Sequence, residues 1–135
     1  MANAIYPKYK EAIIGGGTNV DLLAGTVKVA LVDLGTYTYS AAHQFFSSLT
    51  GVVGTPQTIP ATKTVTDGLF KTTGTNTFTG VSGNSAEALV LYIDTGTAGT
   101  SRLVAFIDTG VTGLPVTPNS GDITITWNAS GIFQL

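Results

Sequence analysis

The sequence predicts a mainly β protein: an antiparallel β-sandwich or barrel with one short helix, at about 41–49, and an N-terminal arm. Three observations carry this. Threonine is the commonest residue and glycine fills 17 of 135 positions; β-branched residues favour strands and glycine favours turns. Charged residues make up only 10 %, against roughly 25 % in an ordinary domain, so hydroxyls, amides and backbone must cover the surface. Short apolar or alternating runs also recur between turn signals along most of the chain. The length fits one domain with a sizeable core. Residues 1–25 read as the arm and 26–135 as a single β-rich domain.

The arm comes first. In "YPKYKEAIIGGG", Pro7 opens a short helix that runs through Ile14, and the glycines end it. "TVKVALVD" (26–33) is a strong strand. Ser40 then caps "AAHQFFSSL", whose apolar residues Ala42, Phe45, Phe46 and Leu49 fall on one helical face. Between 51 and 85, "QTI", "TKTVT", "GLFKTT" and "NTFTGV" read as short strands between turns. "AEALVLYID" (86–94) and "RLVAFID" (102–108) are almost continuously apolar, as strands covered on both faces are. The seven residues between them, "TGTAGTS", form a hairpin loop. "ITITW" (123–127) alternates strictly, so one of its faces is wet, and "GIFQL" closes the chain as a last strand.

Net charge is −2, no basic run exists and cysteine is absent. Nucleic-acid binding therefore has no electrostatic footprint, and neither disulfide nor thiolate chemistry is available. No apolar run reaches membrane-spanning or signal-peptide length; a soluble protein without a classical export signal is expected.

The sequence "YIDTGTAGTSRLVAFIDTG" (92–110) contains apolar-Asp-Thr-Gly twice, the signature around an aspartic-protease carboxylate. Such a dyad shares one proton between adjacent carboxyl groups. Across an antiparallel hairpin Asp108 falls opposite about residue 88, leaving six residues, or roughly 20 Å, between it and Asp94. Within one chain the pair is excluded. Asp and Gly are what a strand exit uses, and Val32-Asp33-Leu34-Gly35 is a third exit of the same kind. "IIGGGTNV" lacks the third glycine of a dinucleotide loop, with Val20 in its place, and reads as a hinge. His43 stands without His or Cys neighbours in sequence, so it reads as a capping or packing residue. Asn128-Ala129-Ser130 reads as a turn. Tyr37, Tyr39 and Trp127 are the aromatics a glycan-binding surface would use. No catalytic, cofactor-binding or metal-ligating set emerges, and an enzyme is not expected.

Three stretches, "KVALVDLGTYTYSAAHQF" (28–45), "EALVLYIDTGTAGTSRLVAFIDTG" (87–110) and "GLPVTPNSGDITITW" (113–127), resemble small structural proteins of tailed bacteriophages. The resemblance implies a virion protein made in the host cytoplasm, similar to capsid decoration (cement) proteins. These bind the outer head surface, clamp the major capsid protein and typically form trimers. A tail, neck or head-fibre component and a glycan-binding module are the alternatives. On this reading the arm grips the partner through Ile5, Tyr6, Tyr9, Ile13 and Ile14, uncoupled from the domain by Gly15-Gly16-Gly17. The other possibility is that the arm packs on its own sheet as an ordinary first element.

Overall fold

The computed structural model describes residues 3–60 and 62–135. In chain order the elements are β1 (Ala4–Ile5), α1 (Pro7–Ile14), β2 (Thr26–Val32), β3 (Val52–Thr58), β4 (Thr64–Thr66), β5 (Leu69–Lys71), β6 (Thr75–Phe78), β7 (Ala88–Asp94), β8 (Arg102–Ile107), β9 (Ile123–Thr126) and β10 (Phe133–Gln134). The main sheet runs β1-β8-β7-β2-β3, and β10-β5-β4 and β6-β9 form two smaller sheets. Every strand pair is antiparallel. The class is the expected one, mainly β and sandwich-like with a single short α-helix.

The apolar strands sit where their composition requires. Val27, Val29 and Leu31 of β2 lie opposite Ile93, Leu91 and Leu89 of β7, on one face of the sheet. Ala30 and Val32 lie opposite Val90 and Ala88 on the other. All these side chains are buried, as is every residue of β8. By contrast β9 alternates, with Ile123 and Ile125 inside and Thr124 and Thr126 outside, and all of β4 is exposed.

The helix expected at 41–49 is not there. This segment holds a turn and a three-residue 3-10 helix, Phe46–Ser48. The apolar spacing is real, but the backbone is used elsewhere. Gln44 O accepts from Leu103 N at 3.0 Å, and Phe46 N donates to Ser101 O at 2.8 Å. These groups extend the main sheet along the outer edge of β8 instead of closing helical turns. Phe46 then stacks on Tyr92 at 4.4 Å, and Tyr39 on Phe106 at 5.5 Å, so this connection covers one face of the sheet.

The helix is instead α1, with Pro7 in its first turn. Gly16 takes φ +70° and Gly17 N donates to Ala12 O at 2.7 Å, a Schellman-type end. The triple glycine is thus a helix stop rather than a hinge. The uncoupled arm is also corrected, although its first two residues lie outside the described residues. β1 pairs with β8, and Tyr6 and Tyr9 are 0 % and 1 % exposed within the chain's own core. Tyr6 Oη bonds Tyr37 Oη at 2.8 Å, which bonds His43 Nδ1 at 2.8 Å. Tyr9 Oη donates to Val20 O at 2.8 Å. Burial pushes the Tyr9 hydroxyl up to about 12, helped by the Asp21 charge, and raises Tyr6 further.

An arm of this kind is part of the fold. Removing residues 1–17 should abolish cooperative thermal unfolding as followed by circular dichroism. Tyr9→Ala alone should cost about 3–5 kcal/mol in chemical denaturation. A truncated chain that melts normally would contradict this.

Candidate assembly surface

The five arm residues do not form one surface. Tyr6 and Tyr9 are core, Ile5 is half-buried, and Ile13 and Ile14 are 36 % and 87 % exposed. A different set is brought together instead. The last turn of α1 meets the chain's C-terminal residue, and Ile13, Ile14, Lys10 and Leu135 line one small cleft of about 270 Å³. Leu135 is itself 56 % exposed. A wider cleft of about 590 Å³ adjoins it through Lys10, between β1 and β10, with Ile5, Pro7, Ile132 and Phe133 among its lining. An apolar strip therefore runs from Ile5 past Lys10 to Ile14 and Leu135.

Its parts are held firmly. Leu135 N donates to Gly68 O at 3.0 Å and Ile132 N to Phe70 O at 2.8 Å. Phe133 stacks on Phe70, whose ring is buried, at 5.4 Å. Sequence reading found the helical half of this strip. The C-terminal half carried no signal, because "GIFQL" looks like any closing strand.

The Asp94 and Asp33 carboxylates are placed as turn chemistry. Ile107 lies opposite Leu89, so Asp94 and Asp108 occupy opposite ends of the β7–β8 hairpin. Asp94 Oδ1 accepts from Gly96 N at 3.1 Å, and Oδ2 pairs with Lys28 Nζ at 3.0 Å. Asp33 repeats the device: Oδ1 accepts from Gly35 N at 2.8 Å, and Oδ2 from Thr36 Oγ1 and Asn84 Nδ2, both at 2.9 Å. The second Asp-Thr-Gly is built differently. Asp108 N and Thr109 N both donate to Asn3 Oδ1, at 2.7 and 3.0 Å, so the N-terminal segment supplies that turn's acceptor.

The aromatics expected of a glycan surface are mostly inside. Trp127 is 5 % exposed and its Nε1 donates to Asn76 Oδ1 at 2.8 Å; Tyr37 is 2 % exposed, and only Tyr39 is half-buried. Among the described residues no three of His, Cys, Asp and Glu gather to hold a metal ion. No helix among them is long and apolar enough to cross a membrane. No family model matches the chain, and no curated protein matches it.

Three carboxyl groups are held below the usual range. The Lys28 ammonium does this for Asp94, the Gly35 N–H for Asp33, and the Ala24 and Leu23 N–H groups for Asp21. A lowered folded value stabilises above the unfolded value of about 3.9, and that stability is lost as pH falls through the folded values. Melting temperature should therefore be level from neutrality down to about pH 5 and decline below about 4. Asp33→Asn should shrink that acid-side decline. A melting temperature constant down to pH 2 would contradict the assignment. Asp94→Asn and Asp108→Asn should leave assembly intact and abolish no peptidase activity.

Proposed function

We propose that this chain is a non-enzymatic structural protein of a tailed-phage virion. Its role is that of a capsid decoration protein, seated on the outer head surface as a homo-oligomer, with a trimer favoured. The carrying observation is the exposed face of Ile13, Ile14 and Leu135 beside the Ile5–Phe133 cleft. The virion setting rests on the sequence likeness of residues 28–45, 87–110 and 113–127.

Physical reasons favour such a surface for assembly. Six of its side chains, Ile5, Ile13, Ile14, Ile132, Phe133 and Leu135, are large and apolar, and among the described residues lining its two clefts Lys10 is the one charged side chain. Burying Ile14 or Leu135 against a neighbour contributes about 1.5–3 kcal/mol each before ordering costs. Their backbone is already ordered by α1 and by the Leu135–Gly68 bond, so little further order is lost on docking. Repetition over a capsid multiplies a modest contact by avidity. Closed symmetry is the common way to cover such a face, and the major capsid protein is the partner in this reading.

The test pairs sedimentation with light scattering. Wild-type protein should form a closed oligomer at micromolar concentration and sediment with heads built from the major capsid protein of the same genome. Ile14→Asp with Leu135→Asp should melt as the wild type does and lose binding by at least tenfold. That loss corresponds to about 1.4 kcal/mol, less than the burial of one such side chain. A monomeric wild-type protein that stays in the supernatant would overturn the proposal.

A further inference from the structure

Arg102 opens β8, and the register decides which way it faces. Leu91 lies opposite Ala105 while Tyr92 lies opposite Leu103, so Val104 is an extra residue, a β-bulge. A one-residue slip reverses the facing of every side chain beyond it. The bulge puts Arg102 opposite Ile93, on the buried face that also carries Leu91 and Val29. There Arg102 is only 6 % exposed.

Its charge is not neutralised there. Nε donates to Thr18 O at 3.0 Å, and the guanidinium lies 5.4 Å from the Phe45 ring centre. Nη1 is buried with no acceptor. Among the described residues the ion pairs are Lys8–Glu11 and Lys28–Asp94, and neither involves Arg102. A buried cation without a counter-charge is unfavourable unless something supplies one.

Arg102 lines a cleft of about 310 Å³ between the end of α1 and the 44–46 connection, together with Lys8, Glu11, Gly15, Gly17 and Gln44. The cleft holds two cations against one carboxylate, so it is net positive. The carbonyls of Glu11 and Ala12 at the helix end already accept from Gly15 N and Gly17 N, at 2.9 and 2.7 Å. Each keeps a second lone pair, yet Nη1 finds no acceptor there.

We propose that this cleft is a binding socket for a carboxylate group. Arg102 supplies a guanidinium whose charge suits a carboxylate oxygen, and Lys8 at the rim adds attraction. Glu11 opposes entry and holds Lys8 at 3.0 Å. The carboxylate can belong to a small free acid or to an acidic side chain of a neighbouring copy. The socket rests on the Arg102 geometry and is independent of the virion reading.

Titration of the full chain with succinate at constant ionic strength, with sodium chloride as control, tests it through melting temperature. A saturable rise with succinate and none with chloride is expected. Arg102→Gln should abolish the rise. Glu11→Gln should move the midpoint to lower concentration, and Lys8→Gln to higher, each by roughly 1.4- to 5-fold, the size of one exposed charge interaction. These two rim variants decide the matter if Arg102→Gln does not fold. Saturation without a change in sedimentation assigns the socket to a free acid. Saturation that dissociates an oligomer assigns it to a neighbour's side chain. No saturable response in the wild type, or rim variants that leave the midpoint unchanged, would overturn the socket.

Discussion

The hydrogen-bonding edge of β8 governs this structure. β8 is buried along its whole length, so its backbone donors and acceptors cannot rely on water. β7 satisfies one side. The other side would be an open apolar edge, the kind that recruits stray strands. Three separate pieces close it. Residues 44–46 bond to Ser101 and Leu103, β1 pairs with Ala105 and Phe106 while Tyr6 N reaches Val104 O, and Asn3 caps Asp108 and Thr109. Two of these pieces bring aromatic cover with them. Tyr6 and Tyr9 come with β1 and α1, and Phe46 and Tyr39 with the connection.

That constraint divides the N-terminal segment between two tasks. Its first part must stay on β8, which takes Tyr6 and Tyr9 away from any partner. The helix that follows is stopped by Gly16, at φ +70°, with Ile13 and Ile14 facing outward beside the C-terminus. Ile14 contributes nothing to the core at 87 % exposure; with Ile13 and Leu135 it forms the apolar face on which the proposed assembly rests. The opposite side of the same helix end borders the Arg102 cleft, where the requirement is charge rather than apolar area.

Much of the strand layout was legible in the sequence because composition and burial agree there. "ALVLYID" and "RLVAFI" contain no residue that prefers water on either face except Arg102 and Asp94, which sit at the loop. "ITIT" alternates and is half wet. The 41–49 segment misled because Ala42, Phe45, Phe46 and Leu49 need covering in any conformation. Helical spacing alone does not say where backbone groups go, and the β8 edge claimed them. Gly15-Gly16-Gly17 made the arm look uncoupled from the domain, yet Tyr6 and Tyr9 before them point inward. Nothing local marks the bulge at Val104, since pairing register is a property of two strands. The Arg102 cleft was therefore out of reach of sequence reading.

Native-state amide hydrogen exchange tests the closed edge most directly. The amides of Tyr6, Phe46 and Leu103 donate across it, to Val104, Ser101 and Gln44. If the edge is a fixed part of the fold, all three should exchange only through global unfolding, with the same free energy as the β7 amides. If Tyr6 exchanges as fast as the helix-end glycines while β7 stays protected, the N-terminal segment is detachable and the account is wrong.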